Sequence, residues 1–173
     1  MGSRVLLLTG SPGIGKTTAM RRIVEGLAGR KLGGFTTEEI REKGVRVGFG
    51  LESFDGKRSV LAHVDIASPH RVSRYGVDIE ALGRFVESTL DPAAKPDVIL
   101  VDEIGKMECL SPRFVAAIER LLEGEIPMVA TVAERGGGLI ERVKRRPEVV
   151  LWAMTRANRD GIPRRALDWF GSS

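Results

Sequence analysis

Cysteine is almost absent from this sequence, because Cys109 is the only one in 173 residues. A single cysteine excludes a disulfide within the chain, so the fold must be held together by a buried apolar core. Long apolar stretches are missing too, and none approaches the ~18 consecutive apolar residues that a membrane-spanning helix requires. The first residues carry no signal-peptide pattern. We therefore expect a cytoplasmic protein that makes no contact with a membrane.

A strong charge excess of one sign is also lacking. The 27 Lys and Arg residues and the 23 Asp and Glu residues leave a net charge of +4, and the two signs are interspersed along the chain. Contact with nucleic acid is compatible with this distribution but is not demanded by it. A small positive excess also suits a protein that binds polyphosphate. With 42% hydrophobic residues, we expect residues 1–173 to form a single domain.

Four short apolar runs predict the central strands. They lack alternating polar positions, which is typical of strands buried on both faces of a parallel sheet. These runs are residues 5–8, 98–101, 128–132 and 149–152. Because helical patterns lie between them, we expect a sheet flanked by helices.

Three helices are predicted between these strands. Two of them have apolar residues at helical spacing, i, i+3, i+4 and i+7 in the first and i, i+4, i+7 and i+8 in the second. The residues are Met20, Ile23, Val24 and Leu27 in one helix and Phe114, Ile118, Leu121 and Leu122 in the other. Ser111 and Pro112 mark the start of the latter, since serine caps a helix and proline needs no backbone donor in the first turn. A further helix is expected from Asp78 to about Leu90.

Residues 33–64 have a different pattern. Val45, Val47 and Phe49 alternate with polar or small residues, which predicts a half-buried strand. Asp55 and Gly56 form a dipeptide that favours a hairpin turn. We expect two or three antiparallel strands here that extend one side of the sheet.

One segment carries a recognisable chemical motif. It matches G-x-x-x-x-G-K-[ST] and lies between the first predicted strand and the first predicted helix. Its residues are Gly10, Ser11, Pro12, Gly13, Ile14, Gly15, Lys16 and Thr17. Such a loop directs backbone N–H groups at phosphate oxygens, beside the positive end of a helix. Lys16 is predicted to reach the β- and γ-phosphates, and Thr17 to bind Mg²⁺ as the cofactor.

A second segment supplies carboxylates. The apolar run 98–101 ends in Asp102 and Glu103, as a Walker B strand does. Ligands bind beyond the carboxyl ends of parallel strands, so Asp102 is predicted to lie beside the phosphate loop and to hold Mg²⁺. Glu103 would face the γ-phosphate, where a carboxylate can orient or deprotonate an attacking water. The two segments predict an α/β P-loop NTPase fold, with a mostly parallel central sheet flanked by helices and an antiparallel strand insertion.

The residues from Asp102 to Glu108, followed by Ser111 and Phe114, resemble a small nucleoside-triphosphatase family known from thermophiles, whose human member is called cancer-related nucleoside-triphosphatase. Further stretches look like signatures of the same family and occur in the family's order. They are residues 34–39, 46–49, 75–77 and 158–160. The resemblance therefore covers nearly the whole chain.

The resemblance implies slow, broad hydrolysis of ATP, GTP and other nucleoside triphosphates such as CTP and UTP, in a domain related to RecA-type and nucleotide-kinase folds. It implies that Glu103 and Lys16 are catalytic and that residues 10–17 bind the phosphates. It also implies a second nucleotide-contacting segment. That segment consists of Ile99, Leu100, Val101, Asp102, Glu103, Ile104, Gly105 and Lys106.

The sequence departs from the family after Ala130 and Thr131, where relatives often carry a Pro- and His-containing stretch. Here residues 134–138 read Glu-Arg-Gly-Gly-Gly. Three glycines suggest a mobile lid, from which Arg135 or Arg142 could reach the transferring phosphoryl group. A solvated surface position is the alternative for each arginine.

Asn158 and Arg159 follow the last predicted strand. Related folds often hold the nucleotide base on this side. These two residues therefore either contact the base or belong to a polar turn.

Two other functions would use the same phosphate loop. A nucleotide or small-molecule kinase would transfer the phosphoryl group to a hydroxyl compound, but no stretch of the sequence indicates a binding pocket for such an acceptor. A nucleotide-gated module would bind nucleic acid or protein and use hydrolysis as a timer.

Overall fold

The four apolar runs form strands, and five further strands join them in one sheet. The computed structural model describes residues 3–171, so two residues at each end of the expected domain lie outside the described part. The strands are β1 (Val5–Thr9), β2 (Leu32–Glu42), β3 (Val45–Ser53), β4 (Arg58–His63), β5 (Arg71–Val72), β6 (Tyr75–Val77), β7 (Val98–Ile104), β8 (Met128–Val132) and β9 (Val149–Ala153). Within residues 3–171 their order is β5-β6-β4-β3-β2-β7-β8-β1-β9.

Five helices accompany the sheet in the described residues. They are α1 (Lys16–Gly26), α2 (Ile79–Thr89), α3 (Pro112–Glu123), α4 (Leu139–Lys144) and α5 (Ile162–Gly171). Short 3-10 helices lie at Pro92–Ala94, Glu108–Leu110 and Arg159–Gly161. No helix in this part of the chain combines the length and apolarity needed to cross a membrane.

One half of the sheet is parallel, as predicted. β2, β7, β8, β1 and β9 are joined by parallel pairing, and the fold class expected from the sequence is confirmed. The prediction that all four apolar runs are buried on both faces is wrong for β9. This strand lies at the edge of the sheet, and Leu151 is 40% exposed, because only one neighbouring strand covers it.

The other half of the sheet is antiparallel, and it is the predicted insertion. β2 belongs to both halves, because its beginning pairs with β7 and its remainder pairs with β3, where Glu39 lies opposite Phe49. The predicted hairpin turn joins β3 to β4, and the backbone N–H of Gly56 donates to the carbonyl of Ser53 at 3.2 Å. The short strands β5 and β6 were not predicted.

Apolar side chains form a core on each face of the sheet. On one face, α2, α3 and α4 pack on the sheet, and Phe35 of β2 contacts the rings of Phe85 and Phe114 at centroid distances of 5.6 and 6.5 Å. On the other face, α1 packs against α5, which was not predicted. The predicted cap at Ser111 is present, since it accepts a hydrogen bond from the N–H of Phe114. Asp78, predicted as the first residue of α2, precedes the helix and caps it by accepting a hydrogen bond from the N–H of Ala81.

Phe114→Ala tests the first of these cores. Phe114 is fully buried, so its truncation is expected to lower the free energy of unfolding by about 3–5 kcal/mol through lost burial and the cavity that remains. Val45→Ala is the control, because Val45 is 53% exposed, and it should change stability by less than about 0.5 kcal/mol. Urea denaturation of both variants measures the difference, and equal effects would contradict the placement of this core.

Candidate active site

The phosphate loop predicted from the sequence joins β1 to α1. Gly15 is the residue before the helix and has a φ of 112°, which a residue with a Cβ rarely adopts. The Lys16 ammonium donates to the carbonyl of Gly10 at 2.8 Å and lies 3.6 Å from Oε2 of Glu103. The side chain of Lys16 therefore lies between the loop and the end of β7, the two segments that carry the motifs.

Asp102 is the most constrained polar residue of the site. It is 1% exposed, and Oδ1 accepts a hydrogen bond of 2.7 Å from the hydroxyl of Thr131. Oδ2 accepts one of 3.3 Å from Thr37, and the Thr17 hydroxyl also bonds to this carboxylate. Burial raises the pKa of Asp102 above its ordinary value, and these hydrogen bonds offset part of that rise.

Sequence reasoning missed Thr37 and Thr131 as members of the site. Thr131 was visible as a polar residue inside the apolar run that became β8, next to β7 in the sheet. A hydroxyl at the carboxyl end of a neighbouring strand is the signal that could have found it. Thr37 lies in the family-like stretch 34–39, but its place beside Asp102 depends on the pairing of β2 with β7, which is not evident from the sequence.

Glu103 follows Asp102 through a cis peptide bond, and its side chain is 32% exposed. Burial raises the pKa of its carboxyl, the positive charge of Lys16 lowers it, and the negative charge of Asp102 raises it. The net direction is upward. Glu103 is thus a carboxylate that can accept a proton more readily than an exposed glutamate.

A second buried carboxyl, Glu108, lies beside Glu103 and was not predicted as part of the site. Both carboxyl groups lie close to Gly105, since a Cβ there would be 2.7 Å from Oε1 of Glu103 and 2.9 Å from Oε2 of Glu108. Burial and the negative charge of Glu103 raise the pKa of Glu108 to about 8, although backbone N–H groups lower it in part. Glu108 therefore keeps its proton at neutral pH.

These groups surround one cavity of about 740 Å³. The phosphate loop contributes Pro12, Gly13, Gly15, Lys16 and Thr17, and the second segment contributes Asp102, Glu103 and Lys106. The apolar residues of the second segment lie in the protein interior. Ile99, Leu100, Val101 and Ile104 are buried in the two cores, so they hold the carboxylates in position.

The two candidate lid arginines occupy different places. Arg135 lines the cavity. Arg142 is exposed on α4 and pairs with Glu119 at 2.7 Å. Of the two, Arg135 is therefore the one that borders the cavity.

Asn158 and Arg159 also differ from each other. The amide of Asn158 is engaged locally, since it accepts a hydrogen bond from the N–H of Thr155 and donates one to the carbonyl of Ala153, both at 2.8 Å. This favours the polar turn. Arg159 donates to the carbonyl of Ile14 at 3.2 Å, so its side chain lies against the phosphate loop.

Comparison with known proteins identifies the family of this chain. The model of the NTPase family matches residues 5–167. The chain belongs to this family. Membership confirms the resemblance inferred from the sequence.

Relatives in the NTPase family are similar over nearly their whole length. The nucleoside-triphosphatase THEP1 of Thermotoga sp. strain RQ2 is 38% identical over 158 residues, which cover 91% of this chain and 90% of that protein. The nucleoside-triphosphatase THEP1 of Thermofilum pendens is 38% identical over 169 residues, which cover 94% and 93%.

Two solved structures share the fold. The crystal structure of THEP1 from the hyperthermophile Aquifex aeolicus aligns with a TM-score of 0.87 at 33% identity, over 96% of this chain and 98% of that chain. The solution structure of a human cancer-related nucleoside triphosphatase aligns with a TM-score of 0.85 at 31% identity, over 98% of both chains.

Thr131→Val tests the support of Asp102. Valine keeps the shape but removes the hydroxyl, so the buried carboxylate loses its shortest hydrogen bond, and the free energy of unfolding should fall by about 1–3 kcal/mol. Thr36→Val is the control on β2, where Thr36 is half-buried, and it should cost less than about 0.5 kcal/mol. Urea denaturation at pH 7 compares the two variants. An unchanged stability in Thr131→Val would show that the bond contributes nothing.

Glu108→Gln tests the buried carboxyl. Between the ordinary pKa of 4.5 and the folded value of about 8, the folded protein holds a proton that the unfolded chain has released. The free energy of unfolding of the wild type therefore falls as pH rises through this window. Glutamine does not titrate. Between pH 5 and pH 8 the free energy of unfolding of the variant should therefore rise by at least about 1.4 kcal/mol relative to that of the wild type. Glu125→Gln, at an exposed position, is the control and should show no such rise. A stability difference between Glu108→Gln and the wild type that stays constant with pH would refute the raised pKa of Glu108.

Proposed function

We propose that this protein hydrolyses nucleoside triphosphates to nucleoside diphosphates and phosphate, as one domain spanning residues 1–173. One observation carries the proposal. The Lys16 ammonium lies between the carbonyl of Gly10 in the phosphate loop and the carboxylate of Glu103, so the phosphate-binding group and the candidate base share one cavity. The names of the relatives, which are nucleoside-triphosphatases, support the same activity.

The phosphate loop supplies binding and orientation. Its backbone N–H groups and the N-terminus of α1 would hold the β- and γ-phosphates, and Lys16 would neutralise part of their charge. Because Lys16 is already fixed by Gly10, little side-chain freedom remains to be lost when a triphosphate binds. Arg135 at the cavity is placed to approach the γ-phosphate when the loop that carries it closes.

Thr17 and Asp102 fit a magnesium site. Both offer oxygen ligands, and they are already in contact through a hydrogen bond. Within residues 3–171 no group of three or more His, Cys, Asp or Glu side chains is arranged around a metal position, which agrees with a cation that takes most of its ligands from phosphate and water. When bound, Mg²⁺ would neutralise charge on the β- and γ-phosphates.

Glu103 is proposed to orient the attacking water and to take its proton. Its raised pKa favours this role, because a base works best when its pKa lies near the working pH. The protonated Glu108 beside it adds no second negative charge near the γ-phosphate. The positive charge of Lys16 limits the rise of the Glu103 pKa.

Broad use of bases is proposed as well, covering ATP, GTP, CTP and UTP. The amide of Asn158 is engaged within its own turn and Arg159 lies against the loop, so these residues offer few groups that distinguish one base from another.

Glu103→Gln tests the proposed base. The change is nearly isosteric but removes the proton acceptor, so turnover of ATP with Mg²⁺ should fall by about 100-fold or more while nucleotide binding persists. Phosphate release measures turnover, and titration with a fluorescent ATP analogue measures binding. Glu134→Gln is the control, since Glu134 is another carboxylate at the same cavity, and it should stay within about twofold of the wild type. Undiminished turnover in Glu103→Gln would rule out its role as base.

A further inference from the structure

Three segments that, apart from Thr37, have no part in the proposed hydrolysis come together at the cavity. They are residues 34–39, 46–49 and 75–77, which the sequence marks as family-like. The folding of β2, β3 and β6 brings Glu39, Arg46, Phe49 and Tyr75 into one group, which we call the far cluster. None of these residues is needed to hold a triphosphate or to activate water.

The far cluster is held by specific contacts. Arg46 pairs with Glu39 at 3.0 Å, and its Nε donates to the Tyr75 hydroxyl at 3.2 Å. The guanidinium also lies 5.2 Å above the centre of the Phe49 ring, and Phe49 meets Tyr75 edge-on at 5.2 Å. This degree of order in partly exposed side chains indicates a formed surface rather than a set of solvated residues.

The same cavity that holds the phosphate loop reaches the far cluster. Besides Asp102, it is lined by Thr37 and Glu39 of β2, Phe49 of β3 and Val72 of β5. Glu39 lies two residues beyond Thr37 on the same face of β2, which is about 7 Å along the strand. Glu103 lines the same cavity as these residues, and the volume of about 740 Å³ exceeds what an attacking water requires.

The chemistry of this wall favours a neutral aromatic molecule that carries hydroxyl groups. Val72 and the part of Phe49 that lines the cavity provide apolar contacts for a flat ring. Thr37 and Glu39 provide oxygen atoms that can accept hydrogen bonds from hydroxyl groups, in addition to the pairs that Glu39 makes with Arg41 and Arg46. The guanidinium of Arg46 is engaged by Glu39 and Tyr75, so the far cluster does not offer a free cation to a phosphate. A nucleoside has this combination of a flat ring and hydroxyl groups.

We propose that the far end of the cavity is an acceptor site for a nucleoside, whose primary hydroxyl receives the γ-phosphoryl group in place of water. The hydroxyl oxygen forms a bond to the γ-phosphorus, the bond from that phosphorus to the β,γ-bridging oxygen breaks, and the hydroxyl proton passes to Glu103. The products are a nucleoside monophosphate and a nucleoside diphosphate. This activity rests on the proposed function, because it uses the same phosphate loop and base.

The first test measures binding without turnover. The full-length protein, saturated with Mg²⁺ and a non-hydrolysable ATP analogue, is titrated calorimetrically with adenosine, guanosine, cytidine, uridine and thymidine. At least one nucleoside should bind with a Kd below about 1 mM. Absence of binding for all five overturns the acceptor site. Phosphate release from ATP alone is measured in parallel, so that failure of the acceptor site and failure of hydrolysis are distinguished.

The second test measures products. The nucleoside that binds is incubated with ATP and Mg²⁺, and nucleoside monophosphate and free phosphate are quantified separately. Val72→Trp should fill the end of the cavity and lower the ratio of monophosphate to phosphate by about tenfold or more. Phe49→Ala should lower the same ratio, and Val72→Trp covers the case in which loss of Phe49 prevents folding. Val60→Ala, at a position 43% exposed on β4, is the control and should leave the ratio unchanged.

The outcomes separate the two activities. Formation of monophosphate that Val72→Trp suppresses supports the acceptor site. Release of phosphate with no monophosphate from any nucleoside overturns it and leaves hydrolysis standing. Formation of monophosphate by a protein that releases no free phosphate supports the acceptor site and contradicts the proposed hydrolysis.

Discussion

The buried carboxylate of Asp102 is the constraint on which the site depends. It extends from β7, and its oxygens are held by the hydroxyls of Thr17, Thr37 and Thr131, which belong to α1, β2 and β8. A carboxylate that is 1% exposed is costly unless it is hydrogen-bonded, so these three elements must meet at this point. The same contacts place the phosphate loop beside the strand that carries Glu103.

The two halves of the sheet form different parts of the cavity. The parallel half brings the carboxyl ends of β1, β7 and β8 to one edge, where the phosphate loop and the carboxylates lie. The antiparallel half continues the wall of the cavity away from the phosphate loop, because β2 runs through both halves. The hydrolytic site uses the first half together with Thr37 of β2, and the proposed acceptor site adds Glu39, Phe49 and Val72 from the second half.

Local features of the fold could be predicted from the sequence, and features set by long-range packing could not. The phosphate loop, the cap at Ser111 and the turn at Gly56 follow from residues within a few positions of one another. The bond from Thr37 to Asp102 joins residues 65 apart, and no local pattern encodes it. The raised pKa of Glu108 likewise depends on burial that packing alone creates. The exposure of β9 was missed because an apolar run does not reveal whether its strand has one neighbour or two.

The most direct test of this account is a Mg²⁺ titration of ATP hydrolysis in the wild type and in Asp102→Asn. If Asp102 holds the cation, phosphate release by the wild type requires Mg²⁺, and the variant needs at least about tenfold more Mg²⁺ for half-maximal turnover and is slower by about 100-fold or more. Circular dichroism would establish that the variant is folded. An identical Mg²⁺ midpoint and turnover in a folded Asp102→Asn protein would contradict the account.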